Sequence, residues 1–107
     1  MPPLQYINSK LSDAIYIITI HEGDARKRLA AILPKLKVLN PKTFPSNLVK
    51  DYSWVMETIE RGRSKVLRDM PDCNLPHIKN STASKVIAKI VKIQDEIQVL
   101  WDKELNL

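Results

Sequence analysis

The last quarter of the chain carries the most regular pattern of apolar positions. From residue 81 to residue 105, apolar side chains recur at alternating spacings of four and three residues, which places them on one stripe of an α-helix. No Gly or Pro interrupts this segment, so the pattern predicts one long helix along which the other elements can pack. The stripe consists of Val86, Ile90, Ile93, Ile97 and Leu100, widened by Ile87, Val91 and Trp101.

A first helix is predicted between an N-cap at Asn8 or Ser9 and a stop at Gly23. Residues 1–8 are expected to form an extended lead-in that packs on the core. The β-branched run over residues 15–20 would also suit a buried strand. Its length and the lack of a partner strand elsewhere favour the helix.

Two more helices are predicted before the last one. Asp24 is placed to cap the second, and Pro34 inside that helix predicts either a kink or two short helices. The third helix is predicted to start at Thr43 or Ser46 and to end at Gly62. After Gly62 the apolar period weakens and turn residues take over, which predicts a long irregular segment before the last helix.

These elements predict a single all-α domain over residues 1–107, a four-helix up-and-down bundle with the C-terminal helix at its centre. A small chain can complete its core by pairing with a second copy. Because the apolar stripe of the C-terminal helix is wide, we expect that helix to mediate any homodimer. The motif Asn80-Ser81-Thr82 is interpreted as the cap of this last helix.

The composition indicates the class of protein and its expected location in the cell. Apolar residues make up 44% of the chain and there are only two glycines, as expected for a helical globular protein. The one cysteine, Cys73, has no partner for an internal disulfide, and the first residues do not have the pattern of a secretory signal. No run of 18 apolar residues exists that would span a membrane. The expected location is the cytoplasm.

Few residues are candidates for catalysis. His21 closes the first helix, where a protonated imidazole would stabilise the helix dipole, so a structural role accounts for it. His77 lies four residues after Cys73, which gives two of the four ligands that a structural zinc requires. An enzyme would have to use His77 with Asp72 or Cys73. We therefore expect no catalytic activity, no metal and no cofactor.

The net charge of +5 is unevenly distributed, with seven basic and no acidic residues between positions 25 and 50. A helix N-terminus favours acidic side chains, yet the second helix begins with three basic ones. The last helix repeats this inversion, with lysines in its first half and acidic residues in its second. The candidate binding surface comprises Arg26, Lys27, Arg28, Lys35, Lys79, Lys85, Lys89 and Lys92.

Two explanations of this charge pattern stay open. The charges either pair inside the bundle, or they form a surface for an acidic partner. We expect a non-enzymatic binding protein that presents residues 26–50 and 61–79 to an acidic protein. The alternative is a nucleic-acid-binding protein that uses the same basic surface. Trp54 and Trp101 lie on or beside apolar stripes and are expected to anchor the core rather than to stack on bases.

Two helix starts carry a resemblance. The first contains Gly23-Asp24-Ala25-Arg26 and the second Lys79-Asn80-Ser81-Thr82. Over residues 22–62 and 78–100 the chain resembles a family of small helical bacterial proteins of mobile or accessory genes, in which Arg stands in place of Lys79. The resemblance implies helical architecture and accessory-gene biology but no particular reaction. It makes Arg26, Arg28 and Lys79 candidates for a shared surface.

Overall fold

The computed structural model describes residues 3–62 and 78–106. These residues form α1 (Pro3–Ile20), α2 (Ala25–Lys37), a short 3₁₀ turn (Pro41–Thr43), α3 (Ser46–Gly62) and α4 (Asn80–Leu105). Successive helices alternate in direction, because α4 meets the start of α2 and the end of α3 at its own start, and the start of α1 at its own end. Helix α4 packs against each of the other three. The prediction of an all-α four-helix bundle with a central C-terminal helix is therefore confirmed.

The core follows the predicted stripe of α4. Val86, Ile90, Ile93 and Ile97 are completely buried, whereas Leu100 is only half-buried. Buried apolar residues from the other helices surround this stripe and complete one continuous core. They include Ile7, Leu11 and Ala14 of α1, Leu29, Ile32 and Leu36 of α2, and Leu48, Tyr52, Val55 and Ile59 of α3.

Helix α1 starts earlier than the sequence pattern predicted. It begins at Pro3, so the extended lead-in predicted for residues 1–8 is wrong from residue 3 onward. Proline is well tolerated in the first turn of a helix. Ile7 extends the buried stripe of α1 by one turn, since it lies four residues before Leu11 and is 1% exposed. Asn8 is not a cap: its side chain bonds across to α4 instead, donating to Gln98 Oε1 at 2.9 Å.

Helix α2 continues through Pro34, so the alternative of two short helices is wrong. Its predicted N-cap is confirmed, because Asp24 Oδ1 accepts a hydrogen bond from the Lys27 backbone N–H at 3.0 Å. At the other end, the Leu36 carbonyl accepts the hydroxyl of Tyr52 at 2.8 Å. This bond fixes α3 to the end of α2, since Tyr52 is fully buried.

Helix α3 starts at Ser46 and ends at Gly62, in agreement with one of the two predicted starts and with the predicted end. The preceding 3₁₀ turn positions Phe44, whose ring stacks on Tyr52 with centroids 4.2 Å apart. At its C-terminal end α3 approaches the segment that leads into α4. A Cβ added to Gly62 would lie 2.9 Å from Ile78 Cβ, so this approach requires glycine.

None of the helices among residues 3–62 and 78–106 has both the length and the hydropathy of a membrane-spanning segment.

Candidate binding surfaces

Asn80 joins the starts of α2 and α4. Its Oδ1 accepts a hydrogen bond from the Arg26 backbone N–H at 3.2 Å, and its Nδ2 donates to Asp24 Oδ2 at 3.3 Å. The N-cap of α4 is Lys79, whose side chain makes no capping bond. The interpretation of Asn80 as the cap of its own helix is therefore wrong, since its side chain instead completes the N-terminus of the neighbouring helix.

This junction gathers four of the eight predicted binding residues. Arg26, Lys27 and Arg28 lie in the first turn of α2, and Lys79 immediately precedes α4. We call these four residues the basic end. The carboxylate of Asp24 lies beside these cations, with its Oδ2 atom 3.8 Å from Arg26 Nη2.

The junction also determines how Asp24 ionises. Its pKa is below the ordinary value of 3.8, chiefly because the Lys27 backbone N–H donates to the carboxylate. Desolvation works in the opposite direction, and the Asn80 side chain and the charges of Arg26 and Lys27 lower the pKa further. The carboxylate of Asp24, which lies beside the basic end, therefore stays charged at neutral pH.

Arg28 has a structural task within this group. Its Nε donates to the Gly23 carbonyl at 3.0 Å. Gly23 has a φ of +122°, a conformation that favours glycine, so this bond secures the turn between α1 and α2. In the same turn, His21 Nδ1 is buried and has no hydrogen-bond partner among the described residues.

The other four predicted residues lie further along their helices, outside the junction. Lys35 Nζ is 4.0 Å from Asp13 Oδ2, and Lys89 Nζ is 3.7 Å from Asp51 Oδ1. Lys85 and Lys92 are exposed on α4. Lys35 thus lies in the last turn of α2, at the opposite end of that helix from Arg26. Internal pairing explains Lys35 and Lys89 only in part, since both pairs are partly exposed and at the long end of the ion-pair range.

The prediction that Trp54 anchors the core is wrong. This side chain is 37% exposed and its ring lies under Lys89, with Nζ 5.9 Å from the ring centroid. The sequence contained a signal for this, because Trp54 falls on the flank of the buried stripe of α3 rather than within it. Trp101 is half-buried and is not a fully buried anchor either.

Trp54 belongs to a face that we call the α3–α4 seam. On α3 it consists of Asn47, Asp51 and Trp54, which lie four and three residues apart and so share one side of the helix. On α4 it consists of Lys89, Lys92, Glu96 and Val99, at spacings of three, four and three. Towards the C-terminal end of α4 the seam opens into a groove of about 320 Å³ lined by Asn47, Asp95, Glu96, Val99 and Leu100.

The predicted catalytic alternatives cannot be placed. The described residues do not include Asp72, Cys73 and His77. They also leave out most of segment 61–79, which is predicted to contact the partner. Among residues 3–62 and 78–106, no cluster of three or more His, Cys, Asp or Glu side chains is arranged to hold a metal ion.

Comparison with known proteins adds no relative from which a role could be transferred. No protein family, curated protein or solved structure matches this chain. The function must therefore be inferred from the chain's own surfaces.

Proposed function

We propose that this protein is a non-enzymatic binding protein of the cytoplasm, of accessory-gene type, that presents the basic end to an acidic partner protein. One observation carries the proposal: the Asn80 side chain bonds to both Arg26 N and Asp24 Oδ2 and so holds two helix starts together. Four cationic side chains, Arg26, Lys27, Arg28 and Lys79, are positioned at a single end of the bundle as a result.

The preorganisation of this end favours binding. Lys27 and Lys79 are exposed, and Arg26 is 40% exposed at its side chain, so the cations are accessible to a partner. The first turns of two helices add backbone dipoles of the same sign. Because the junction already fixes these backbone segments, an acidic partner need order only the cationic side chains.

The surroundings favour a protein over a nucleic acid. Ile20, which ends α1 next to the basic end, is 62% exposed, and Tyr16 one turn earlier is 58% exposed. A phosphate backbone offers no partner for an exposed isoleucine, whereas protein interfaces combine apolar contacts with a charged rim. An acidic surface that also contains aliphatic side chains fits this arrangement best.

The test uses two fluorescent peptides of equal negative charge, one alternating Glu with Leu and the other Glu with Ser. The protein is compared with a variant in which Arg26, Lys27 and Lys79 are Ala. Arg28 is kept because its side chain secures the Gly23 turn. A control variant replaces Lys37, Lys42 and Lys50, which are exposed elsewhere, so both variants remove three charges from a net charge of +5.

We expect the Glu-Leu peptide to bind more tightly than the Glu-Ser peptide, and only the basic-end variant to lose this binding. Ile20→Ser should reduce the preference for leucine. Labelled duplex DNA is measured in parallel, at about 50 and 200 mM salt. If only DNA binds, and its affinity falls roughly 40-fold over that range as expected for three phosphate contacts, nucleic-acid binding replaces the proposal. If both variants lost peptide binding equally, the binding would be a general effect of net charge and not a property of the basic end.

A further inference from the structure

The α3–α4 seam combines a projecting aromatic side chain and a groove on one face. Trp54 lies on the seam at the level of Lys89 and is partly exposed. Tryptophan is one of the side chains most enriched at the energetic centres of protein interfaces. The groove begins at Asp95 and ends at Leu100 on the same side of α4. One protomer cannot fill its own groove with Trp54, because about eight helical residues at 1.5 Å each separate the two levels by roughly 12 Å.

The groove suits an indole ring. The groove is open to solvent, and its volume of about 320 Å³ is larger than the roughly 150 Å³ of a closed apolar cavity that holds benzene. Val99 and Leu100 form its apolar part, and Val99 is 53% exposed. Asp95 and Glu96 line the groove as well and give it an acidic border. The groove therefore offers apolar contact for a ring and negative charge for cations beside it.

We infer that a second copy of this chain occupies the groove, and that two copies pair through the α3–α4 seam with antiparallel α4 helices. A two-fold axis perpendicular to the seam, midway between Lys92 and Glu96, exchanges the level of Trp54 with the level of the groove. Each Trp54 then enters the groove of the other copy at the same time. In such a contact both copies contribute the same surface, so the assembly is complete with two copies.

The charges along α4 are complementary under this operation. Lys89 and Lys92 lie on the Trp54 side of the axis, and Asp95 and Glu96 lie on the groove side. Lys92, Asp95 and Glu96 have no ion-pair partner within the part of the chain that the structure describes. In the pair, Lys92 of one copy faces the acidic border of the other copy's groove.

This pairing also explains the charge inversion of α4. Basic residues in its first half and acidic residues in its second half oppose the helix dipole in a single chain. When two α4 helices lie antiparallel, the basic half of one lies beside the acidic half of the other. A nucleic acid fits the seam less well, because Asp95 and Glu96 would repel its phosphates. The pairing leaves the basic end unused and does not depend on the proposed function.

The first experiment measures the mass of the full chain by sedimentation equilibrium over a roughly thousandfold range of concentration. We expect the mass to rise from 12.3 kDa to twice that value. Trp101→Phe leaves Trp54 as the only tryptophan, and its emission should shift to the blue as the mass rises. Trp54→Ala should weaken the dimer at least about 30-fold, as expected for the loss of a central aromatic anchor.

Charge exchange tests the orientation of the pair. Lys92→Glu and Glu96→Lys should each weaken the dimer, and the double variant, which keeps the net charge, should regain it. Lys37→Glu is the matched control, since Lys37 lies on α2, outside the seam, and the substitution makes the same charge change. A wild-type mass of 12.3 kDa at every concentration would overturn the inference. The same holds if the emission of Trp54 in that monomer changes on addition of DNA or of an acidic peptide. A dimer that survives Trp54→Ala unchanged would overturn it equally.

Discussion

Replacing Asn80 tests the junction between α2 and α4 directly. Asn80→Ala removes the acceptor of the Arg26 backbone N–H and a donor to Asp24. A net hydrogen bond contributes about 0.5–1.5 kcal/mol, and both of these bonds lie at an exposed helix end where water can replace them. We therefore expect the free energy of unfolding to fall by about 1 kcal/mol. Urea denaturation followed by far-UV circular dichroism measures this loss.

The size of that loss alone does not identify which helix Asn80 supports, because losing an ordinary N-cap costs a similar amount. A double-mutant cycle with Asp24→Ala distinguishes the two cases. If Asn80 acts on α2 through Asp24 and Arg26, the loss of stability in the double variant should differ from the sum of the two single losses. The difference should exceed about 0.3–0.5 kcal/mol, the scatter found for independent sites. Additive losses would refute the junction as described.

Asn80→Asp provides a second discrimination. At the start of α4 alone, a carboxylate should stabilise the helix by about 0.3–1 kcal/mol. At the junction it would face the Asp24 carboxylate, to which the Asn80 amide now donates at 3.3 Å. We expect destabilisation at neutral pH that is relieved in acid. Stabilisation at neutral pH would contradict this arrangement.

Three further predictions concern the bundle itself. Gly62→Ala should destabilise the protein by about 1 kcal/mol or more in urea denaturation, because the gain in helix propensity is smaller than the cost of a Cβ 2.9 Å from Ile78 Cβ; unchanged stability would contradict the close approach. Tyr52→Phe should cost about 1 kcal/mol by the same assay, since it removes the 2.8 Å bond to the Leu36 carbonyl while keeping the ring. For Asp24 the folded-state pKa is below 3.8, so its stabilising effect is present above that pH and lost as the pH falls through the folded value. The stability difference between wild type and Asp24→Ala should therefore shrink in acid, and a constant difference from neutral to acidic pH would be incompatible with the lowered pKa.

The sequence by itself determined the helices and the central position of α4. Apolar spacing depends on the period of the helix alone, so the buried stripe from Val86 to Ile97 could be identified without any tertiary information. The Asp24 cap and the end of α3 at Gly62 were equally local. The start of α1 is not predictable in this way: two N-terminal prolines favour extended chain, whereas burial of Ile7 against the bundle extends the helix.

The surfaces were decided by the tertiary structure. Asn80 resembles a local cap in sequence, and only the packing of α2 beside α4 brings it within 3.2 Å of Arg26 N. The charge pattern alone groups eight cations, whereas the structure places three of them in the first turn of α2 and Lys35 in its last turn. Likewise, the exposure of Trp54 depends on how α3 is rotated against α4. Local spacing shows which residues share a helix face, whereas which faces become surfaces depends on contacts between residues far apart in the chain.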